Sequence, residues 1–270
     1  MKSSSELTRT AVMESWQPIM RDAGQDAVGL GQQILDAAHV VAASPLRGPL
    51  TDPGRNAQDK AQLAADVLRS RVDDRVVELV QGFASGRWSA PVDIITALHE
   101  AGIDTILAGV SAVGQLETLE EQLFNVSELI SHNRDLATAL NPSRWATSDE
   151  RVELATKLFA PTLLPGAMAL LTWCVRHHAE GGVVRNITRV VTLAAAMRDR
   201  VVAQVTTASP LSSQAQERLR AALRAKLGKD VDLNCQSDPS LIGGVKVSVD
   251  GLIFDSTIRS SLDELRTALA

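Results

Sequence analysis

The chain has 270 residues, of which 45% are hydrophobic and 22% charged, a composition that supports a packed core and excludes wholesale disorder. Its formal net charge of −5 at pH 7 argues against a nucleic-acid-binding surface. Aromatic residues make up only 3%, so the core is built from Ala, Leu and Val, which favours helices over an all-β sandwich.

No signal peptide or membrane span is predicted. The first ten residues contain no apolar h-region. An uncharged stretch from Leu158 to Val175 reaches the low end of a span length, but Pro161, Pro165 and Gly166 interrupt it. We therefore expect one buried core helix from about Ala167, and any membrane association comes through partners.

The helical part of the chain repeats itself with a period of about 90 residues, too long for a solenoid. Each copy shows an amphipathic helix, a Pro-containing break, an alanine-rich helix, a further helix with a glycine stop, and a last helix. The residues that mark the two copies are Leu30, Ile34, Ala38, Pro53 and Gly86 in the first, and Leu119, Leu123, Val126, Ile130, Pro142 and Gly181 in the second.

This order of signals favours a duplicated helical bundle, with domains at residues 1–105 and 106–199. A helix running from Val92 to Val113 would blur that boundary and serve both bundles. Thr147 with Glu150 forms a capping box in the second copy.

Residues 200–270 change to a mixed pattern. An extended segment at 201–205 precedes a helix, with a second capping box at Ser213 and Gln216 and a stop at Gly228. Alternating segments at 231–236 and 245–249 predict half-buried strands, and Asp250-Gly251 predicts a hairpin. A final helix carries an apolar stripe. The expected fold is mainly α with a small α+β C-terminal domain of about four strands and two helices; the stripe residues are Ile258, Leu262, Leu265 and Leu269.

Few residues of the sequence are candidates for catalysis or metal binding. Cys174, His177 and His178 are the only cluster of metal-ligand types, and a buried cysteine with histidines at a helix end is the stronger interpretation. The second cysteine, Cys235, leaves too few thiols for a disulfide framework. Three neighbouring carboxylates are interpreted as a solvated helix face rather than an acid–base pair; they are Glu117, Glu120 and Glu121.

The four tryptophans are spread along the chain. We interpret them as core anchors rather than as partner hot spots. They are Trp16, Trp88, Trp145 and Trp173.

The segment VDLNCQSDPSLIGGV at 231–245, continued by DGLIFD at 250–255, resembles the delta subunit of rotary ATP synthases, whose mitochondrial relative is the oligomycin-sensitivity-conferring protein. Ser256-Thr257 replaces the Gly-Ser usual in that family. The resemblance is specific over 200–270, extends over 106–199, and likens residues 1–105 to the duplicated bundle of longer actinobacterial forms.

We interpret the motif residues as residues that maintain the fold of the small domain. Direct contact with the stalk is the alternative. Asp238-Pro239 would end a strand, Gly243-Gly244 would permit a tight backbone, and Asp255 would cap the last helix. The candidate site residues are Asp238, Pro239, Gly243, Gly244, Asp250, Gly251, Asp255, Arg259 and Leu262.

The resemblance implies a non-catalytic stator subunit of the peripheral stalk that binds no metal or cofactor. Its implied partners are the N-terminal segments of the alpha subunits and the b-type stalk subunit, with no nucleic acid and no direct membrane span. Its implied place is the cytoplasmic face of the cell membrane, where it couples proton flow to ATP synthesis. A helical adaptor or regulator outside the synthase is the alternative, and a metal-dependent enzyme is a distant third.

Overall fold

The computed structural model describes residues 4–177, 182–198, 201–229, 231–238, 241, 244–249 and 252–257. These residues form two compact units, Met1–Ala195 and Ala196–Ala270. The first unit is helical, and the second combines one described helix with a four-stranded sheet. The predicted fold class, mainly α with a small α+β C-terminal domain, is confirmed.

The helical unit contains every marker helix of the predicted repeat that lies in the described residues. The amphipathic helices marked by Leu30 and Leu119 are α2 and α7. Short helices α3 and α8, which the sequence pattern does not predict, occupy the breaks that follow them. The bounds are α1 Ser4–Ala23, α2 Ala27–Ala43, α3 Arg47–Thr51, α4 Ala57–Leu68, α5 Asp74–Ser85, α6 Asp93–Ala112, α7 Leu116–His132, α8 Arg134–Leu140, α9 Ser148–Phe159, α10 Pro165–Arg176 and α11 Gly182–Arg198.

Helix α6 is continuous across the predicted boundary between residues 105 and 106. It packs against α1, α2 and α5 on one side of the repeat and against α7 and α10 on the other. Its length and apolar composition would suffice for a membrane span, but 67% of its most apolar window is buried in the unit. It therefore contacts helices on both sides of the predicted boundary, and it is continuous where the Val92–Val113 pattern predicts a helix that spans the boundary.

Helices α2 and α6 approach each other closely at Gly31. A Cβ added at Gly31 would lie 2.6 Å from Cγ1 of Ile106 and 2.7 Å from the carbonyl oxygen of Gly102. Only glycine permits this approach of two helix backbones. The backbones of α2 and α6 are consequently in close contact at this point.

Helix α10 is the buried core helix expected in the uncharged stretch. Pro165 stands at its first position, where a missing N–H costs nothing. The helix is lined by buried residues, among them Leu170, Leu171, Cys174 and Val175. This prediction is confirmed.

Helix ends follow the local signals with one correction. Thr147 Oγ1 accepts from the amide of Glu150 at 3.2 Å, and the Glu150 carboxylate accepts from the amide of Thr147 at 2.8 Å, so this capping box is confirmed. The second predicted box is wrong by one residue. Ser212, not Ser213, caps α12 (Ser213–Leu227), because its hydroxyl accepts from the amide of Ala215.

The C-terminal unit carries a sheet of order β2-β1-β3-β4, with β1 Val201–Thr207, β2 Val231–Ser237, β3 Gly244–Val249 and β4 Leu252–Thr257. Strands β1 and β2 are parallel and joined by α12, whereas β3 pairs antiparallel with both β1 and β4. Gly228, at φ 68°, ends α12 in the left-handed region as expected. The second predicted helix, from Ile258, lies outside the described residues.

One face of this sheet forms the core of the unit. Alternate residues of β1 and β3 lie on that face together with Leu223 of α12. The buried residues are Ala203, Val205, Leu223, Val231, Val247 and Val249.

Candidate functional site

Two described motif residues, Asp238 and Gly244, lie at the same end of the sheet of the C-terminal unit. The amide of Asp238 donates to the carbonyl of Thr207 at 2.8 Å, and its own carbonyl accepts from Leu241 at 3.1 Å. Asp238 thus ends β2 beside the last residue of β1. Gly244, at φ 89°, begins β3 opposite Thr257 at the same end of the sheet. These two described motif residues shape a turn region, as a fold-device role requires.

The expectation that Asp255 caps the last helix is wrong. The return strand does not stop at Phe254 but continues to Thr257, and Asp255 lies inside it as the register partner of Lys246. An N-cap residue directly precedes the first helical residue, whereas two further strand residues, Ser256 and Thr257, follow Asp255. The remaining motif residues lie outside the described residues: Pro239, Gly243, Asp250, Gly251, Arg259 and Leu262.

The hairpin predicted at Asp250-Gly251 is supported by its strands. Val249 of β3 pairs with Leu252 of β4, so two residues separate the strands. A two-residue connection is the length at which Asp-Gly is favoured. The turn residues themselves lie outside the described residues.

The cluster of metal-ligand types does not form a metal site in the described residues. Cys174 is fully buried, and burial raises the pKa of its thiol far above the usual value, which disfavours the thiolate. The ring of His177 stacks on Trp173, with centroids 5.0 Å apart. His178 lies outside the described residues. No group of three His, Cys, Asp or Glu suited to a metal is present in the described part of the chain.

Instead, His177 belongs to an aromatic cluster that joins α6 to α10. His99 meets His177 edge-on at 4.5 Å between ring centroids and Trp173 at 5.7 Å. Burial of His99, together with the nearby charges of His177, Arg189 and His39, lowers its pKa to about 3. His99 is therefore neutral at pH 7.

A buried amide completes this junction. Nδ2 of Asn186 on α11 donates to the carbonyl of Cys174 at 3.1 Å and to the carbonyl of His177 at 3.0 Å. Cys174 lies in the last turn of α10 and His177 is its C-cap residue, positions at which helix carbonyls generally need partners outside the helix. Asn186 thus serves as the hydrogen-bond donor to these carbonyls at the end of α10, and its side chain is buried.

Three of the four tryptophans stabilise the core as expected. Trp16 is 1% exposed, and its indole N–H donates to Thr105 Oγ1 at 2.9 Å. Trp173 is buried, and the partly buried Trp88 packs against Phe83, with ring centroids 6.0 Å apart. The core-anchor interpretation holds for these three residues.

Trp145 is the exception, because 82% of its surface is exposed. It lies in a tight turn between α8 and α9, Ser143–Ala146, closed by an antiparallel bridge between its ends. The guanidinium of Arg144 lies 4.7 Å from the centre of its ring. The core-anchor interpretation is wrong for this residue, which is presented to solvent.

Further exposed apolar side chains lie on α7 and α9. Phe124 is 56% exposed, Leu129 57% and Leu158 49%. Leu129 borders a shallow surface depression of about 550 Å³. Glu117 and Glu121 are exposed on α7, as expected for a solvated face, whereas Glu120 is half-buried.

Pattern reasoning does not identify His99 or the exposure of Trp145. His99 sits inside an apolar helix, and only the fold brings it against α10. Trp145 has a signal in retrospect, since it follows Pro142 in a polar break between two amphipathic helices. A large aromatic residue in such a break is a candidate surface anchor.

Comparison with known proteins gives consistent similarities. The family model described as ATP synthase delta (OSCP) subunit matches residues 106–269. The chain is 35% identical to an ATP synthase subunit delta of Beutenbergia cavernae, with all of both chains covered. It is 33% identical to one from Salinispora arenicola over 88% of this chain and 87% of that one, and 30% identical to one from Streptomyces griseus over all of both chains.

Proposed function

This chain belongs to the ATP synthase delta (OSCP) subunit family, and we propose that it joins the catalytic head of the synthase to the peripheral stalk. In this role it is a structural, non-catalytic subunit that keeps the head from turning with the rotor. The observation that carries the proposal is the full-length similarity to delta subunits of comparable length.

We assign the two attachments to different units. The helical unit binds the N-terminal segments of the alpha subunits, and the C-terminal unit binds the end of the b-type stalk subunit. Both contacts use a helix laid against an apolar groove, a common mode for recognition of amphipathic segments. A joint that must not slip needs nanomolar affinity, about −12 kcal/mol. The chain then sits at the cytoplasmic face of the cell membrane without entering it.

The half of the helical unit at 106–199 is the one assigned to the head, since the family match begins there. The half at 1–105 braces the stalk. Deleting residues 1–100 is an unsuitable test because the cut falls inside α6, which ends only at Ala112. The deletion would expose core positions such as Ile103 and Ile106, which are 1% and 0% exposed in the intact unit.

Binding of the full chain to separate partners is the better test. The probes are a catalytic head with intact alpha N-termini, the same head with those termini removed, and the soluble part of the b-type subunit. We expect nanomolar binding to the intact head and to b, and loss of head binding when the termini are removed. Undiminished binding to the trimmed head contradicts the assignment of the alpha termini, and no binding to either partner favours an adaptor outside the synthase.

A further inference from the structure

Helices α2 and α7 occupy matching places in the helical unit. Each has 17 residues and comes after a helix of 20 residues, α1 or α6. The seventh residue of α2, Gln33, accepts through Oε1 from the amide of Asp73, the N-cap of α5, at 2.6 Å. The seventh residue of α7, Gln122, accepts in the same way from the amide of Leu164, the N-cap of α10, at 2.8 Å. Residues at the same position along α2 and α7 are therefore comparable.

The ninth residues of these two helices differ in whether another helix covers them. Leu35 of α2 is 7% exposed, and its Cδ2 would lie 2.6 Å from a Cβ added at Gly102, so α6 covers it. Phe124 of α7 is 56% exposed. A position that a helix buries in α2 is thus open in α7, and α6 shows the kind of element that fits against it.

Leu129 extends the open surface toward the C-terminal end of α7. It is 57% exposed and borders the shallow depression of about 550 Å³, together with Asn125, Glu128 and His132. Phe124 and Glu128 are neighbours on the helix surface because they are four residues apart, and so are Asn125 and Leu129. The continuous surface on the side of α7 away from its buried residues is called here the α7 face: Glu117, Glu121, Phe124, Asn125, Glu128 and Leu129.

The charge around the apolar side chains of the α7 face is negative. Helix α7 contains four glutamates and no lysine or arginine. Glu117 and Glu121 are exposed and form no ion pair within the described part of the chain. Glu128 Oε2 lies 3.7 Å from Nδ1 of His132, a pair that attracts only when the imidazole is protonated. An apolar surface with this border is complementary to a positively charged ligand.

From these observations we propose that the α7 face docks a basic amphipathic helix of another ATP synthase subunit. Apolar residues of that helix contact Phe124 and Leu129, and its Lys or Arg side chains pair with Glu117 and Glu121. Such a helix binds through apolar residues three and four positions apart. The inference rests on the proposed function, because it places the partner inside the synthase. It deepens that function by giving the shape and the charge of the segment that is bound.

Two other occupants of the α7 face have the wrong charge. A second copy of this chain, bound symmetrically, would bring the same glutamates against each other, and like charges oppose that contact. Anionic lipid headgroups attract basic segments, so an acidic face repels them. The net charge of −5 on the whole chain adds to both repulsions.

The test compares full-length variants for binding to ATP synthase from which this chain has been removed. Phe124→Ala should weaken binding by roughly 10- to 30-fold, the range of an aromatic hot spot. Glu121→Lys should weaken it by about tenfold at low salt, with a smaller difference at high salt.

Two matched controls lie on α9. Leu158→Ala changes an apolar side chain that is 49% exposed, and Glu153→Lys makes the same change of charge as Glu121→Lys. Glu153 pairs with Lys157 at a well-exposed site, so its loss costs little stability. Both controls should bind like the wild type. All four variants should keep the wild-type circular dichroism spectrum, since the changed side chains are exposed.

The outcomes separate this proposal from the proposed function. If the wild type binds and the two α7 variants bind equally well, the docking face is wrong and the proposed function stands. Failure of the wild type itself to bind the depleted synthase contradicts both. A loss with Phe124→Ala but none with Glu121→Lys contradicts a basic partner, and equal losses in the α9 controls contradict the location. Phe124-dependent dimerisation or binding to phosphatidylglycerol vesicles, without an effect on the depleted synthase, also overturns the proposal.

Discussion

The helical unit and the C-terminal unit bury their apolar residues in different ways. In the helical unit, α6 is largely buried and contacts α1, α2 and α5 as well as α7 and α10. In the C-terminal unit, one sheet face packs against α12 over a small set of buried side chains. In the helical unit, losing one buried contact should therefore lower the stability of helices throughout the unit. In the C-terminal unit the loss should stay local, and each of the few core residues should contribute a larger share of the free energy of unfolding.

The largest expected effect is at Trp16, which ties α1 to α6. Trp16→Ala removes a fully buried indole and its bond to Thr105, and we expect a loss of about 3–5 kcal/mol in the free energy of unfolding. Urea denaturation followed by far-ultraviolet circular dichroism measures it. Leu7→Ala, on the same helix at a side chain 58% exposed, should change stability by less than about 0.5 kcal/mol. Equal effects at both positions would show that α1 is not packed as described.

A core substitution in the C-terminal unit is expected to act locally. Leu223→Ala should destabilise that unit by about 2–4 kcal/mol, since the side chain is 6% exposed against the sheet. Hydrogen exchange should accelerate in β1 and β3 while the tryptophan-monitored transition stays in place, because all four tryptophans lie between residues 16 and 173. Arg218→Ala on the exposed side of α12 is the control. A shift of the tryptophan transition would contradict the separation of the two cores.

The helix contact at Gly31 offers a sharper test of the shared helix. Gly31→Ala places a methyl group against the backbone of α6, and we expect a net loss of about 1–3 kcal/mol. Gly29→Ala, two residues earlier on the same helix, meets nothing within 4 Å and should stabilise by about 0.5–1 kcal/mol. The two variants should therefore shift the thermal midpoint in opposite directions, Gly31→Ala downward and Gly29→Ala upward. A stabilising Gly31→Ala would mean that α2 and α6 lie farther apart.

The smallest predicted effect is a pH dependence carried by His99. Its pKa is lowered to about 3 in the folded chain, so between that pH and about 6.5 the unfolded chain binds the extra proton. Stability therefore falls as the pH drops below about 6.5, by about 1–2 kcal/mol at pH 5.

Denaturation at pH 7.5 and pH 5 compares the wild type with His99→Gln, which should lose this part of the dependence. His132→Gln, at a side chain 77% exposed, should keep it. If His99→Gln keeps the wild-type pH profile, the pH dependence of stability is carried by another group.

The sequence predicts those parts of the fold that depend on neighbouring residues. The Thr147 capping box, the stop at Gly228 and the strands around the 249–252 hairpin are all local, and each is present. The same local reasoning misplaces the cap of α12 by one residue because Ser212 and Ser213 are adjacent and chemically alike. It ends the return strand too early, although the hairpin register that pairs Val249 with Leu252 continues along both strands and pairs Lys246 with Asp255.

The candidate sites are less predictable because they depend on contacts between distant residues. His99 and His177 are separated by α7, α8 and α9 along the chain, and only packing brings their rings to 4.5 Å. The exposure of Trp145 follows from the direction of one turn, which composition does not determine. The family resemblance, by contrast, is readable because its motif is a continuous segment.

The most direct test of the proposed stator role is the coupling of ATP hydrolysis to proton movement in membrane vesicles from which this chain has been removed. The account predicts that such vesicles hydrolyse ATP but pump few protons, and that adding back the purified full chain restores pumping. Proton pumping that stays at the level of untreated vesicles, with the chain shown to be absent, would contradict the account.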